Sequence, residues 1–431
     1  MLILLFIFNL SGCWGLVEVH EIAIVTGMAV DKIEDGRVLM SYEVANPDAL
    51  IRGTGDVEGG GGEVVSWVMR EEATSIFNAV SNINRRIPRR LFLGQTSVVI
   101  FGQALARDGI GRYLDLFQRK GRFRRSLKIN VCDTGTGLLQ RPYMEDSSSQ
   151  TMLHLLHTAE LSGRAARVTL NEFIRKLNEP GIEPVGTHTV GRETEDVQLL
   201  HAGVEVQQEN PAEMLKQPLK SEKNIPSMFS DEHPVLDPLK EYGMAEPAPG
   251  MTIMLGLAVF EQDRLVGFLD SNDARGFLWA VGRVKQTAIE IPHPQHDGGT
   301  LVLETINNTS TINPQGDSPD NLSIDLEVSI QFQIVESSHP ITVKPRAAVE
   351  EIESYAARCV EEEIRNSLGI VQNQFESDIY GFGQTLYRRK PELWWELADG
   401  WNEKTFPELP VDIDIKTNLR ASGLILRGHR E

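Results

Sequence analysis

Cysteine is scarce in this chain, with three residues in 431, too few for a disulfide framework. Cys132 and Cys359 sit in apolar surroundings and read as small buried hydrophobes, able to pair only if the fold brings them together. Positive charge is also short: 42 Lys and Arg face 61 Asp and Glu, a formal net charge of −19. Such a balance argues against nucleic acid as the main partner and against general adhesion to an anionic lipid surface. Beyond the first dozen residues no apolar run reaches the roughly 20 residues of a membrane-spanning helix. Catalytic signatures are missing as well. There is no G-x-S-x-G elbow and no Cys–His arrangement. The glycines of "GTGDVEGGGGEVV" precede no Lys-Ser/Thr pair, and the G-x-G-x-x-G spacing fails at Glu58, so the stretch reads as a flexible loop. His154 and His157 lie i, i+3 without the Glu of an H-E-x-x-H, and His293 and His296 sit in a Pro-rich turn. The expectation is therefore no catalytic residue, no cofactor and no metal.

What is present begins at the N-terminus. "MLILLFIFNLSGCWG" is an apolar run closed by Ser11 and Gly12 and followed by Cys13. It is too short to span a bilayer but has the size of a signal-peptide h-region, about 7–15 residues. Met1 to Asn9 lack the basic residues of a typical signal n-region, which leaves open an ordinary signal with an incidental cysteine. Leu-Ser-Gly-Cys resembles the lipobox of bacterial lipoproteins. That resemblance implies cleavage after residue 12 and a diacylglycerol on the Cys13 thiol. Two acyl chains on one residue suffice for stable anchoring, at about 0.8 kcal/mol per buried CH₂.

At about 150 residues per domain, the length suggests two to four domains. Two β-rich runs flank Asp35-Gly36, a hairpin signal because both central residues of the turn need positive φ. Strands and helices then alternate to about residue 190. Helices are expected near Thr74–Arg86, Gly109–Phe117, Thr151–Leu161 and Thr169–Leu177. Between Arg85 and Lys128 lie twelve Lys or Arg against only Asp108 and Asp115. This reads as a solvated surface, with a face turned to lipid headgroups or an acidic partner as the alternative. From Gln208 to Gly250 seven of the 21 prolines occur without a periodic apolar face, the pattern of an exposed loop. A strand pair and a short helix around Ala274–Val281 follow. "LSIDLEVSIQFQIV" alternates strictly, placing Leu322, Ile324, Leu326, Val328, Ile330, Phe332 and Ile334 on one face of a strand. Arg346–Leu368 is an amphipathic helix, and "VDIDIKTNL" alternates again. Trp394, Trp395 and Trp401, with Leu393 and Leu397, read as core beneath the last sheet rather than as a ligand cage. Strands flanking a long helix give an α+β class. The expected division is residues 1–12 as signal, 13–190, 191–300 with the loop at 208–250, and 301–431.

Three blocks carry a resemblance: "GCWGLVEVHEIAIVTGMAVDK", "NRRIPRRLFLGQTSVVIFGQALARDGI" and "DIYGFGQTLYRRKPELWWELADGWNEKTFPELPVDIDIKTNLRASGLI". They resemble the Ger(x)C family, the lipoprotein C subunits of bacterial spore germinant receptors, over most of the chain from Cys13 to Ile425. Gly15 replaces an acidic residue usual after Cys-Trp, and the 208–250 loop resembles an insertion. The resemblance implies three mixed sheet-and-helix domains in a family-specific fold. It implies tethering through Cys13 to the outer face of the inner spore membrane. It further implies assembly with an integral-membrane A subunit and a transporter-like B subunit, in a complex where nutrients trigger release of ions and dipicolinate. No catalytic residue is carried over. The leading expectation is a non-enzymatic tethered subunit. A solute-binding lipoprotein is the alternative, disfavoured by antiparallel-looking strands, and a surface-anchored enzyme ranks third.

Overall fold

The computed structural model describes residues 18, 21–33, 36–46, 66–119, 123–139, 147–191, 252–341, 343 and 346–420. Cys13, the expected leader before it and the expected loop at 208–250 lie outside the described residues. Two mixed sheets with helices packed on them make an α+β fold, as the alternation of patterns predicts.

The first sheet starts with β1 (Ile22–Lys32) and β2 (Val38–Ala45), joined antiparallel with Lys32 opposite Val38. Gly36 takes the positive φ, +69°, that the Asp-Gly signal anticipates. Strand β3 (Ser66–Ala73) adds antiparallel to β2 and forms one edge. Helix α1 (Ile76–Asn84) then buries Ile76, Ala79, Val80 and Ile83, with Ser75 capping its first turn through the Asn78 N–H at 3.2 Å. The short β4 (Arg90–Phe92) pairs parallel with the start of β1. Next come β5 (Val98–Gly102), α2 (Gln103–Asp108), α3 (Gly111–Arg119) and β6 (Lys128–Cys132). They are followed by α4 (Gly135–Leu139), α5 (Ser148–Leu161), α6 (Leu170–Asn178) and β7 (Val185–Gly191). Strands β1, β5, β6 and β7 run parallel. The hairpin of β8 (Thr252–Glu261) and β9 (Arg264–Leu269) closes the far edge antiparallel. This corrects the antiparallel reading of the strands. Four central strands are parallel because helical crossovers separate them, and apolar alternation alone does not encode strand direction.

Helix α7 (Ser271–Ala280) leads into the second sheet: β10 (Ala288–Pro292), β11 (Thr300–Gln315), β12 (Ser323–Ser337) and, after helix α8 (Arg346–Ile370), β13 (Val411–Leu419). The first three strands are antiparallel, and β13 returns parallel to β12 across the helix. Leu322 and the even-numbered residues Ile324 to Phe332 are buried, as the alternation requires, while Ile334 is half-buried. Helix α8 buries Ala348, Ile352, Ala356, Val360, Ile364 and Leu368 at helical spacing. It meets α7 so closely that a Cβ on Gly276 would lie 2.1 Å from the Glu363 carbonyl oxygen. Glu363 in turn accepts from Arg275 Nε at 2.8 Å and Trp279 Nε1 at 2.9 Å. One contiguous apolar cluster runs from Ala23 to Leu409 and unites the two sheets.

Candidate functional site

The distinctive block "DIYGFG" follows α8 and runs into the first turn of helix α9 (Phe382–Arg389). The first turn of a helix leaves backbone N–H groups without intrahelical partners. Asp378 satisfies them, accepting from the N–H of Gly381 at 2.8 Å, Phe382 at 3.2 Å and Gly383 at 2.8 Å. Trp401 Nε1 donates to the same carboxylate at 3.1 Å. Asp378 is wholly buried, and burial pushes its carboxyl up to about 6 even though the backbone donors pull it down. Gly381 has φ +80°, open to glycine without strain. At Gly383 a Cβ would stand 2.7 Å from Trp394 and 2.8 Å from Trp401, so the two indoles close on a bare backbone. The two glycines that flank Phe382 are thus required for two separate reasons, backbone conformation at Gly381 and close packing at Gly383.

Across from α9 stands the turn between α6 and β7. Gly181 has φ +69°, and a Cβ there would lie 2.3 Å from the Gly383 carbonyl carbon. The Gln384 N–H donates to Gly181 O at 2.6 Å and the Glu183 N–H to Asp378 O at 2.8 Å. Glu183 accepts from the Gln262 N–H at 2.6 Å and Asn402 Nδ2 at 2.8 Å, and burial raises its carboxyl to about 7. Ser377 Oγ donates to Phe260 O at 2.7 Å. Lys176 is buried beside this junction, and desolvation lowers its ammonium to about 8. Asp378 is wholly buried with its lone pairs filled by fixed N–H donors, so it is not placed to take a proton from a substrate. Chemically the cluster is a lock that ties the last third of the chain to the first sheet.

Helix α10 (Pro391–Leu397) corrects the tryptophan reading. Trp394 and Trp401 are buried, but Trp395 is 67% exposed. Adjacent helical residues diverge by about 100°, so Trp394 and Trp395 cannot both face the core. Tyr387 stands edge-on to Trp395 at 5.9 Å. Cys132 and Cys359 are both free thiols, the first buried and the second half-buried, so they do not pair. His154 and His157 are exposed on α5. His293 and His296 are joined by His339, whose ring centroid lies 4.8 Å from that of His296 and 6.0 Å from that of His293. His339 escaped the sequence reading because it follows the far end of β12. The His293 Nδ1 accepts the Gln295 N–H at 3.1 Å. Among the described residues no group of three or more such side chains is arranged to hold a metal ion.

A shallow cleft of about 440 Å³ is lined by Glu160, Arg283, Lys285, Ile306, Asn307 and Asn308. Glu160 pairs with Arg167 and Lys285, and Arg283 with Glu172. The cleft therefore presents mutually neutralised charges and no nucleophile–base pair.

Two family profiles match: "Spore germination protein N-terminal domain" over residues 16–188, and "Spore germination B3/ GerAC like, C-terminal" over residues 255–423. Asp378 and Gly383 fall in the second, Gly181 and Glu183 in the first. Spore germination protein KC of Bacillus subtilis (strain 168) is 22% identical, over 98% of this chain and 95% of that protein. Spore germination protein YndF of the same organism is 19% identical, over 99% and 96%. The crystal structure of the GerBC protein superimposes with a TM-score of 0.51 at 13% identity, over 91% of this chain and 96% of that one. The fold, the two matched domains and these end-to-end relatives agree: the chain belongs to the Ger(x)C family of spore germination proteins.

Proposed function

We propose that this chain is the lipid-tethered, non-catalytic C subunit of a nutrient germinant receptor. In this reading it is held at Cys13 on the outer face of the inner spore membrane, beside integral-membrane A and B subunits. The observation that carries the proposal is the match with spore germination protein KC over 98% of the chain, spanning both family domains. Physical features support it. No described helix is long and apolar enough to cross a membrane, and Leu10-Ser11-Gly12-Cys13 offers an anchor in its place. The buried polar cluster at Asp378 fixes the domains relative to one another, as a scaffold requires. A tether also raises the effective concentration of the body near membrane partners, which matters most when individual contacts are weak.

The test is genetic and biochemical. Spores lacking this chain should fail to respond to its nutrient germinant, and the wild-type chain should restore the response. Cys13→Ala should take up no fatty-acid label and restore the response poorly. A normal nutrient response in the deleted spores would overturn the proposal.

A further inference from the structure

Strands β1, β5 and β6 run parallel, with Gly27 beside Val98 and Val98 beside Lys128. They therefore all start at the same end of the sheet. The turn from α1 into β4 belongs to that end, because Arg90 pairs with Ile22, the first residue of β1. Arg85, Arg89 and Arg90 lie on this turn. The loop that enters β6 adds Arg124 and Arg125. Neighbouring strands are about 4.8 Å apart, so the fold gathers onto one rim arginines that the sequence spreads over 41 positions, from 85 to 125. Among the described residues none of these five arginines has a carboxylate partner. Arg86, by contrast, pairs with Glu71, and Arg85 donates to the Asn82 side chain. Glu18 and Glu21 border the rim at the start of β1, and on α6, which contacts Arg125 through the Asn171 N–H, Glu172 is already held by Arg283. Phe92 is 41% exposed, and with Arg90 it faces outward from β4 while Leu91 between them is buried. Ile22 and Ile24, their partners on β1, are half-exposed.

We propose that this rim is a docking surface for an anionic bilayer, with the guanidinium groups on lipid phosphates and Phe92 at the headgroup boundary. The choice of a membrane rests on where the chain enters. Ile22 lies nine residues after Cys13, and nine residues span at most about 30 Å. A lipid on Cys13 thus confines this end of the body, and no other, to the neighbourhood of the bilayer. In a chain of net charge −19, a cationic rim at the tethered end also orients the molecule, because the acidic remainder is repelled from the same surface. The inference rests on the tethered reading for its geometry, but its charge argument can be tested without the lipid.

The experiment uses the full chain carrying Cys13→Ala, floated with vesicles of phosphatidylcholine alone or with about one third phosphatidylglycerol. Several arginines near an anionic surface should give at least about a tenfold preference for the phosphatidylglycerol vesicles in low salt. The preference should vanish near 0.3 M salt, where the screening length is only about 6 Å. Changing Arg85, Arg89, Arg90, Arg124 and Arg125 to Glu should abolish it, while Arg346→Glu with Arg365→Glu on α8 should leave it. If the five-fold variant melts early, Arg124→Glu with Arg125→Glu alone should reduce the preference. Equal binding to both vesicles, or a preference unmoved by the rim variants, overturns the proposal. Fatty-acid labelling of the wild-type chain is scored separately. A labelled chain without lipid preference refutes the rim alone, and an unlabelled chain with the preference refutes the tether alone.

Discussion

Replacing Asp378 by Ala should break the junction that joins the family's two domains. Four donors lose their acceptor: the N–H groups of Gly381, Phe382 and Gly383 and the Trp401 Nε1. Hydrogen bonds to a charged group contribute about 1.5–3 kcal/mol each, so the gross loss is about 6–12 kcal/mol. Two effects reduce it. Burial pushes the native carboxyl up to about 6, and the variant no longer bears the cost of holding that charge away from water. Water entering the vacated space can re-satisfy one or two donors. The expected net loss is about 3–6 kcal/mol, seen as a melting point lower by about 5–10 °C in a chain of this size. Asp378→Asn keeps one oxygen but turns an amide N–H₂ toward two donors, so it should lose about half as much. Urea and thermal unfolding measure the loss. Hydrogen exchange should show faster exchange on both sides of the junction, at Gly381–Gln384 and at Glu179–Glu183. If the Ala variant stays within about 1 kcal/mol of wild type with exchange unchanged, then Asp378 is not what holds this junction.

Gly383→Ala should destabilise by about 2–4 kcal/mol, because its Cβ would lie 2.7 Å from the Trp394 ring and rigid indoles cannot yield. Trp394→Ala should cost about 3–5 kcal/mol and Trp395→Ala under about 1 kcal/mol, which separates the buried indole from the exposed one by unfolding midpoint. Stability should also depend on pH. Glu183, raised to about 7, and Asp378, raised to about 6, hold their protons more tightly when folded, so their contribution is present at low pH and is lost as pH rises from about 4 to 7. Lys176, lowered to about 8, acts in the opposite sense: its contribution is present above about 10.5 and is lost as pH falls through 8. Urea midpoints across pH should pass through a minimum between about 7 and 8, and Glu183→Gln should flatten the acidic limb.

The sequence makes some of this architecture plain and hides the rest for physical reasons. Strict alternation in β12 and the apolar stripe of α8 are local signals, and the structure keeps both. Strand direction is not local, and the parallel centre of the first sheet follows only from the crossovers. The need for glycine near Phe382 is visible from "GFG", but its cause is not. Trp394 and Trp401 reach Gly383 from 11 and 18 residues away, and Gly181 from 202 positions upstream. Asp378 stood unmarked in a chain of 61 acidic residues, since only its burial and its four donors distinguish it. Five arginines of the basic run, Arg85, Arg89, Arg90, Arg124 and Arg125, come onto one rim once β1, β4, β5 and β6 share an end.

A tethered subunit of a membrane receptor, the role proposed for this chain, should come out of the spore together with its partners. The most direct measurement is affinity purification of the C-terminally tagged chain from detergent-solubilised inner spore membranes, followed by identification of what accompanies it. The chain should be recovered from the membrane fraction together with integral-membrane A and B subunits, and Cys13→Ala should sharply reduce both. Recovery of the wild-type chain alone from the soluble fraction would contradict it.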